Sequence, residues 1–253
     1  MKRAVITGAS SGIGLALAQE LARRGWAVAM LARRTELLNE AVAALGTPAT
    51  SVTCDVTDAA SVATAVRKAE ENLGGPFDLA VANAGIGYPT HAAKFDTNAA
   101  GEIMRVNVIG MINLFGAVVP SMIERRSGRF AGVASLAGHR GLPTASVYSA
   151  SKAAMQAFLE ASRVELLHYG VGVTTVNPGF IETALTSKNR FRMPFLWKVD
   201  RAARVIADGL ERGKRVIEFP LPMSIATRAM RHVPDALYDL MTKNSARRRS
   251  SKT

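Results

Sequence analysis

The sequence predicts one α/β domain built on a doubly wound parallel sheet with helices on both faces. Its 253 residues suit a single large domain of this class. Short, nearly continuous apolar runs, which are typical of strands buried on both faces, alternate about seven times with helix-like segments. No internal repeat or linker interrupts this alternation. Since ligands of such sheets bind beyond the carboxyl ends of the strands, the residues that directly follow each strand are the informative ones.

Strands are predicted where apolar and β-branched residues run uninterrupted between turn residues. In chain order they are Ala4–Thr7, Trp26–Leu31, Ser51–Cys54, Phe77–Ala82, Arg129–Ala134, Val171–Val176 and Arg215–Phe219. Helices are predicted where apolar residues recur every three or four positions. They are Gly14–Arg24, Thr35–Leu45, Ala59–Leu73, Gly101–Met122, Ser149–Tyr169 and Ala202–Arg212. Right-handed crossovers between parallel strands then place helices on both faces of the sheet.

The composition excludes general disorder and argues against several other classes. Hydrophobic residues make up 48% of the chain and charged residues 21%, as in ordinary globular proteins. The single cysteine, Cys54, permits no intramolecular disulfide and suits a reducing compartment. Neither a run of about 18 apolar residues nor a signal-peptide pattern is apparent. The four histidines lack ligand-like spacing. We therefore expect a cytoplasmic protein without a metal site.

The chain is strongly basic, with a net charge of +12. Arg247, Arg248, Arg249 and Lys252 account for four of these charges, and the body is basic without them. Such a body attracts nucleic acid, anionic lipid or a phosphorylated small molecule, whereas the simpler interpretation is solubility. No aromatic residues lie among the arginines, which argues against single-stranded nucleic acid. We expect residues 247–253 to form a disordered basic tail.

A glycine-rich turn separates the first predicted strand from the first helix. Its residues are Gly8, Ala9, Ser10, Ser11, Gly12, Ile13 and Gly14. Glycines let the backbone turn tightly and approach a ligand closely. The N-terminus of the following helix offers free N–H groups and a positive dipole end, which suit a pyrophosphate, and both serine hydroxyls can donate to the same oxygens. The spacing differs from the common G-x-G-x-x-G, and a flexible loop is the alternative.

Arg33 and Arg34 follow the second predicted strand, and no acidic residue occurs there before Glu36. In dinucleotide-binding folds an acidic residue at this position binds the ribose 2′-OH, whereas an arginine accommodates a 2′-phosphate. Two guanidinium groups therefore favour NADP, because they form charge-assisted hydrogen bonds with phosphate. NAD remains open, as does the interpretation of two solvated arginines.

Two further strand ends suit the same ligand. Asp55 and Val56 follow the third predicted strand, where the carboxylate is able to accept a hydrogen bond from an adenine amino group or to cap the next helix near Asp58. The fourth strand is followed by a small polar turn that leaves room for a planar ligand. Its residues are Asn83, Ala84 and Gly85.

Ser135, Tyr148 and Lys152 form a candidate catalytic group. Tyr148 and Lys152 are four residues apart near the start of a predicted helix, so they share a face. A nearby ammonium stabilises a phenolate, so we expect Lys152 to lower the pKa of Tyr148 and to suit it for general acid–base catalysis on an alcohol or carbonyl. Ser135 follows a neighbouring strand and would hydrogen-bond the substrate oxygen.

Together these motifs resemble the short-chain dehydrogenase/reductase family over residues 7 to about 183. The residues that carry the resemblance are Thr7, Gly8, Gly12, Gly14, Asn83, Ala84, Gly85, Asn107, Ser135, Tyr148, Lys152, Pro178 and Gly179. The resemblance implies a single Rossmann-like domain with about seven strands. It also implies that Tyr148 is the acid/base, that Ser135 polarises the substrate oxygen, and that Lys152 binds the nicotinamide ribose and tunes Tyr148.

The resemblance further implies roles for residues that composition and spacing alone leave unassigned. Asn107, which otherwise indicates a buried amide, would hold a helix bend and a water of the proton relay. Arg33 matches the NADP-preferring position of the family. The remaining expected cofactor contacts are Asp55 and Val56 to adenine, and Pro178, Gly179, Ile181 and Thr183 to the nicotinamide amide.

Two segments are expected to surround the substrate. Residues 184–198 include Phe191, Phe195 and Trp197 and would form an apolar lid, with simple packing as the alternative. Residues 220–244 are expected to be helical and to complete the pocket, bind another subunit or rest on a membrane surface. His139 and Arg140 follow Ser135 and are assigned to solvated surface rather than to substrate contact. The domain is therefore expected to span residues 1–246.

The sequence thus predicts an NADP(H)-dependent oxidoreductase that interconverts a carbonyl and an alcohol on a lipophilic small molecule. One alternative is an NAD-dependent alcohol dehydrogenase of the same family. Another is a dinucleotide-binding sensor or scaffold with a basic tail. Family resemblance implies a homodimer or homotetramer paired through the long helices near 101–126 and 149–169, and no specific nucleic-acid partner is expected.

Overall fold

Seven parallel strands form one sheet in the computed structural model, which describes residues 1–187 and 193–250, with side chains through residue 243. The strands are β1 (Arg3–Thr7), β2 (Ala27–Ala32), β3 (Ala49–Thr53), β4 (Leu79–Ala82), β5 (Arg129–Val133), β6 (Gly172–Pro178) and β7 (Val216–Phe219). Their order across the sheet is β3-β2-β1-β4-β5-β6-β7. This doubly wound, Rossmann-like arrangement confirms the predicted fold class.

Helices cover both faces of the sheet. They are α1 (Gly12–Arg23), α2 (Thr35–Ala43), α3 (Ala59–Leu73), α4 (Thr97–Met104), α5 (Gly110–Glu124), α6 (Ser146–Glu165), α7 (Val199–Glu211), α8 (Leu221–Met230) and α9 (Asp235–Ser250). Successive strand side chains point to opposite faces. Accordingly Val5 packs into the core beneath α3, α5 and α6, whereas its neighbour Ile6 packs into the core beneath α1 and α7. Each such buried aliphatic side chain contributes about 1.5–3 kcal/mol.

The long helix predicted at Gly101–Met122 is present but interrupted. Asp96 caps its start, because its carboxylate accepts hydrogen bonds from the backbone N–H groups of residues 98 and 99. Between α4 and α5, residues Arg105–Ile109 form a π-helical segment, a feature often found at functional sites. By length and hydropathy Thr97–Glu124 is long and apolar enough to cross a membrane, and Leu114 and Met122 on its inner face are buried in the core.

A cluster of charged side chains joins α1 to α7 at the N-terminal side of the sheet. The Arg24 guanidinium donates to Glu20 at 2.7 Å, to Asp208 at 2.7 Å and to Glu211 at 2.6 Å. Trp26 Nε1 adds a bond of 3.1 Å to Glu211. Glu20 is almost fully buried, and hydrogen bonds from Arg23 lower its pKa despite the opposing effect of burial. The contacts connect residues nearly two hundred positions apart.

The C-terminal region is helical, as predicted for residues 220–244, and consists of α8 and α9. Helix α9 continues to Ser250, so residues 247–250 are helical where a disordered tail was expected. Alanine and arginine are strong helix formers, which accounts for the extension. Residues 251–253 and 188–192 lie outside the described residues, and the latter include Phe191 of the expected lid.

Candidate active site

The turn after β1 has the conformation that its glycines permit. Gly8 and Gly12 have φ values of +66° and +58°, in the left-handed region that favours glycine. A Cβ atom on Gly14 would lie 2.4 Å from Nδ2 of Asn83, so no larger residue fits there without displacement. Asn83 itself donates from Nδ2 to the carbonyl oxygens of Thr7 at 3.0 Å and Gly8 at 3.2 Å. The end of β4 therefore fixes the turn after β1.

Arg34 connects the end of β2 to this turn. Its Nη2 atom donates to Ser10 Oγ at 2.9 Å and to Ser11 Oγ at 2.8 Å. Arg33 lines the same cavity, and its positive charge acts on Asp55. The arrangement places two guanidinium groups and two hydroxyls at one corner of the cavity. Of the two arginines, only Arg34 is hydrogen-bonded to the turn, although the sequence resemblance draws attention to Arg33.

The acidic residues after β3 have separate roles. Asp58 is the N-cap of α3, because its carboxylate accepts the backbone N–H of Ala60 at 2.9 Å. Asp55 is therefore not the helix cap, which was one of its two predicted roles. One oxygen of Asp55 accepts the backbone N–H of Thr57 at 2.9 Å and its hydroxyl at 2.8 Å. The pKa of Asp55 is lowered, chiefly by the hydrogen bond from the Thr57 backbone, so this carboxylate is an anion at the rim of the cavity.

Ser135, Tyr148 and Lys152 face the same cavity, which has a volume of about 460 Å³. Ser135 follows β5, and its hydroxyl donates to the carbonyl oxygen of Pro178 at 3.4 Å and accepts the backbone N–H of Ala137 at 3.1 Å. Tyr148 lies in the first turn of α6, and Lys152 lies one turn further on. The Lys152 Nζ atom is 5.7 Å from the centroid of the Tyr148 ring and donates to the carbonyl oxygen of Val133 at 2.9 Å.

Burial dominates the protonation of this group. Desolvation lowers the pKa of Lys152 from its ordinary 10.5 to about 8. Desolvation also raises the pKa of Tyr148 above its ordinary 10.0, and the neighbouring Ser135 side chain opposes this only in part. Lys152 is not among the causes of this shift, so the expectation that it lowers the pKa of Tyr148 stays a prediction. At neutral pH Tyr148 is protonated and ready to donate.

Asn107 lies in the π-helical segment behind the cavity and is completely buried. Its Oδ1 accepts the backbone N–H of Ile86 at 2.8 Å, and its Nδ2 donates to the Ile86 carbonyl at 3.0 Å and to Ser151 Oγ at 3.0 Å. The side chain therefore links the irregular helix, the loop after β4 and helix α6. This agrees with the implied role at a helix bend, whereas the proton-relay water remains a prediction.

Every other predicted cofactor residue except Gly14 lines the cavity that contains Tyr148 and Lys152. These residues are Gly8, Ser10, Ser11, Gly12, Ile13, Arg33, Arg34, Asp55, Val56, Asn83, Ala84, Gly85, Pro178, Gly179, Ile181 and Thr183. They come from the carboxyl ends of β1, β2, β3, β4 and β6. The groove thus offers a cradle of glycines and N–H groups at one end and the acid–base group at the other, which fits an extended nicotinamide dinucleotide.

Several site residues were missed because their role depends on tertiary packing. A Cβ atom on Gly87 would lie 2.7 Å from Cδ2 of Tyr148, so the Tyr148 ring needs glycine here. Glu218 on β7 is the centre of a hydrogen-bonded network behind Ser135. His139 bonds to this carboxylate rather than to solvent. Arg140 donates to the carbonyl oxygens of residues 230 and 233 at 2.8 Å and 2.6 Å, so it is not solvated surface either.

No cluster of three or more His, Cys, Asp or Glu side chains suited to a metal ion occurs among the described residues. Cys54 is buried, and desolvation raises the pKa of its thiol to about 11. A thiol with such a pKa stays protonated at neutral pH and is a poor nucleophile. The chemistry of the cavity therefore depends on hydroxyl, phenol, amine and guanidinium groups.

The glycine turn, the serine–tyrosine–lysine group and the seven-stranded sheet define a dinucleotide-dependent oxidoreductase of the short-chain dehydrogenase/reductase family. The family model for short chain dehydrogenases matches residues 2–193. The chain belongs to this family, and NAD(P)-dependent dehydrogenase/reductase activity follows at family level.

Similar proteins agree with the assignment. An uncharacterized oxidoreductase from Myxococcus xanthus is 40% identical over 241 residues, covering 94% of this chain and 95% of that protein. The structure of an alcohol dehydrogenase from Thermococcus sibiricus with 5-hydroxy-NADP is 29% identical, with a TM-score of 0.77 and coverage of 87% and 95%. A Burkholderia phymatum family member in complex with NAD, 24% identical, has a TM-score of 0.84 with coverage of 96% and 95%, which supports the fold.

Proposed function

We propose that the protein is an NADP(H)-dependent reductase that converts a ketone or aldehyde on a lipophilic small molecule to the alcohol. The observation that carries the cofactor preference is the Arg34 guanidinium, whose Nη2 atom lies within 2.9 Å of Ser10 Oγ and 2.8 Å of Ser11 Oγ. With Arg33 beside it, this corner presents donors and positive charge where a 2′-phosphate is expected. An NAD-selective site would instead place a carboxylate at the end of β2.

The acid–base residues support reduction. A bound NADPH would supply the hydride. Tyr148, whose pKa is raised by burial, holds its proton at neutral pH and would donate it to the substrate oxygen. Ser135 lines the same cavity as Tyr148, so its hydroxyl would hydrogen-bond the same substrate oxygen and stabilise the developing charge. Lys152 provides an ammonium group within one helical turn of Tyr148.

Exposed apolar side chains in the expected lid favour a lipophilic substrate. Leu185 lines the cavity and is 42% exposed, while Phe195 and Leu196 of the expected lid are 57% and 44% exposed. Trp197 stacks on Phe219 of β7, with ring centroids 5.2 Å apart, so one end of the lid is attached to the sheet. Exposed apolar groups of this kind become buried when they close over an apolar ligand and exclude water.

Cofactor titration tests the dinucleotide preference. Removing charge-assisted hydrogen bonds worth about 1.5–3 kcal/mol should weaken NADPH binding roughly 10- to 100-fold in Arg34→Ala, with a smaller loss in Arg33→Ala. NADH binding should change little. Arg67→Ala is the matched control, since Arg67 is an exposed arginine on α3 outside the cavity. If wild type binds NAD as tightly as NADP, the NAD-dependent alcohol dehydrogenase is the correct alternative.

A carbonyl screen tests the reaction. NADPH oxidation over a panel of steroid, retinoid, fatty-acyl, sugar and aromatic carbonyls should identify substrates among the apolar members. Tyr148→Phe should lose almost all turnover while NADPH binding survives, because only the proton donor is removed. Near-normal turnover in this variant would reject the acid–base assignment. A wild type that binds NADPH but reduces no carbonyl would favour the sensor or scaffold alternative.

We propose a cytoplasmic homodimer or homotetramer. Apolar side chains that a solitary domain leaves exposed occur on the long helices, as expected for subunit pairing. They are Met104, Ile109 and Ile112 in residues 97–124, and Val164 and Leu167 in and after α6. Light scattering of the purified protein and cell fractionation test these two statements. A monomer at micromolar concentration, or recovery in the membrane fraction, would contradict them.

A further inference from the structure

Glu218 is a buried carboxylate that no step of the proposed reaction uses. It lies on β7, and its side chain is 8% exposed. Burial raises its pKa, but hydrogen bonds from four side chains outweigh this and lower the pKa far below the ordinary 4.5. A buried charge is costly unless it is fully hydrogen-bonded, so the network around Glu218 has a structural purpose that can be traced from its contacts.

Both carboxylate oxygens are fully engaged. Oε1 accepts from Nδ2 of Asn177 at 2.9 Å and lies 3.2 Å from Nε2 of His139. Oε2 accepts from Nε of Arg228 at 2.8 Å and from the hydroxyl of Ser224. Two of these partners belong to α8, one follows β5 and one belongs to β6. Glu218 therefore lies where four parts of the chain meet.

From Asn177 the network continues to the catalytic serine. The Oδ1 atom of Asn177 accepts from Nε2 of Gln156 at 2.9 Å, and the same Nε2 donates to the carbonyl oxygen of Ser135 at 2.8 Å. An ionised carboxylate can only accept hydrogen bonds. Asn177 must therefore turn its Nδ2 toward Glu218 and its Oδ1 toward Gln156. Gln156 must in turn present its nitrogen, whose second proton reaches Ser135. The charge on Glu218 thus dictates the orientation of both amides.

The same carboxylate fixes α8 beside the nicotinamide end of the cavity. Ser224 and Arg228 bind it directly, and Thr227 Oγ1 lies 3.1 Å from Nδ1 of His139. Met223, in the same turn of α8, packs so closely on Gly179 that a Cβ atom there would lie 3.2 Å from its Sδ atom. Movement of Glu218 would therefore shift the cavity wall at Gly179 together with the Ser135 loop.

We propose that Glu218 is a positioning residue for the carbonyl reduction, acting through Asn177 and Gln156 on Ser135 and through α8 on the wall at Gly179. The proposal rests on the proposed function for its effect on turnover. Catalysis requires the Ser135 hydroxyl and the Tyr148 phenol to meet one substrate oxygen, and a displacement of about 1 Å lowers rates on the order of 100-fold. A role in stability alone would not require the side-chain amides of Asn177 and Gln156 to be held in one orientation. Nor would it require their chain of hydrogen bonds to end at Ser135.

Three variants separate positioning from stability. Gln156→Leu removes the last link and leaves Glu218 and α8 intact. Glu218→Gln removes the charge that orients the amides. Glu20→Gln is the matched control, because Glu20 is also a buried carboxylate with arginine partners, but it joins α1 to α7 and does not line the cavity. Each variant is compared with wild type in thermal unfolding, NADPH affinity, NADPH-dependent turnover of the best carbonyl in the panel, and amide hydrogen exchange.

Gln156→Leu and Glu218→Gln should each lower kcat by about tenfold or more while NADPH affinity stays within about twofold. Exchange should accelerate at residues 137–139, whose N–H groups bond to Ser135 and Leu136, but not in α1. Glu20→Gln should lose thermal stability without either effect. Unchanged kcat and exchange in both site variants would overturn the proposal. If wild type reduces no carbonyl, the proposed function fails, and exchange at 137–139 alone decides whether Glu218 positions Ser135.

Discussion

Replacing Lys152 with methionine should make the protein more stable at neutral pH while abolishing its activity. Burial lowers the pKa of Lys152 from 10.5 to about 8, a difference of about 2.5 units. At about 1.36 kcal/mol per unit, holding the ammonium in this site costs about 3 kcal/mol. Methionine avoids that cost but loses the hydrogen bond to the Val133 carbonyl, worth about 1–2 kcal/mol. The expected net gain at pH 7 is about 1–2 kcal/mol.

The sign of this gain should reverse with pH. Between pH 8 and pH 10.5 the unfolded chain still binds the proton that the folded protein has released from Lys152. The unfolding free energy of wild type therefore rises through this window relative to Lys152→Met, by about 3 kcal/mol in total. Above pH 10.5 the lysine is neutral in both states, so the cost is gone and wild type should be the more stable protein.

Urea unfolding followed by circular dichroism at pH 7, 9 and 10.5 measures the difference. Lys68→Met is the control, since Lys68 is an exposed lysine on α3. Its unfolding free energy should follow that of wild type in parallel at every pH. If the Lys152→Met and wild-type curves also remain parallel from pH 7 to pH 10.5, the argument from desolvation is refuted.

Two further predictions concern the same cavity. Gly87→Ala should lower kcat about 10- to 100-fold in a steady-state assay, because the new methyl group would lie 2.7 Å from the Tyr148 ring. Gly116→Ala is the control and should keep wild-type turnover, because Gly116 occupies an open position on α5. Burial raises the pKa of the Cys54 thiol to about 11, so Cys54 should resist iodoacetamide at pH 7.5 until the protein is unfolded. Rapid alkylation of the native protein, measured by intact-mass spectrometry, would contradict this burial.

The fold was predictable from sequence because buried parallel strands are apolar on both faces. Strand β5 illustrates this, since its predicted range Arg129–Ala134 differs from the observed Arg129–Val133 by one residue. The proximity of Tyr148 and Lys152 was predictable for a similar local reason, since they are one helical turn apart on α6, whereas their catalytic role stays a prediction. The break at Arg105–Ile109 was not, because the apolar pattern continues through the π-helical segment.

What sequence could not reveal depends on residues that are distant in the chain. Glu218 meets Asn177 and His139 only after β5, β6 and β7 are assembled. The pKa of Tyr148 is raised by its burial, and the four-residue spacing from Lys152 gives no information about how buried the phenol is. Likewise, the sequence places Arg33 and Arg34 side by side, whereas only the folded turn shows which of them bonds to the serines.

The order along the chain of the residues that line the groove suggests how new substrate specificities could be engineered. Every predicted cofactor-binding and acid–base residue precedes position 184, and α7, β7, α8 and α9 come later. A donor segment spliced in after Thr183 would therefore bring a new substrate chamber to an unaltered redox module. If Glu218 orients the amides of Asn177 and Gln156 as proposed, such a chimera also needs an acidic side chain at position 218.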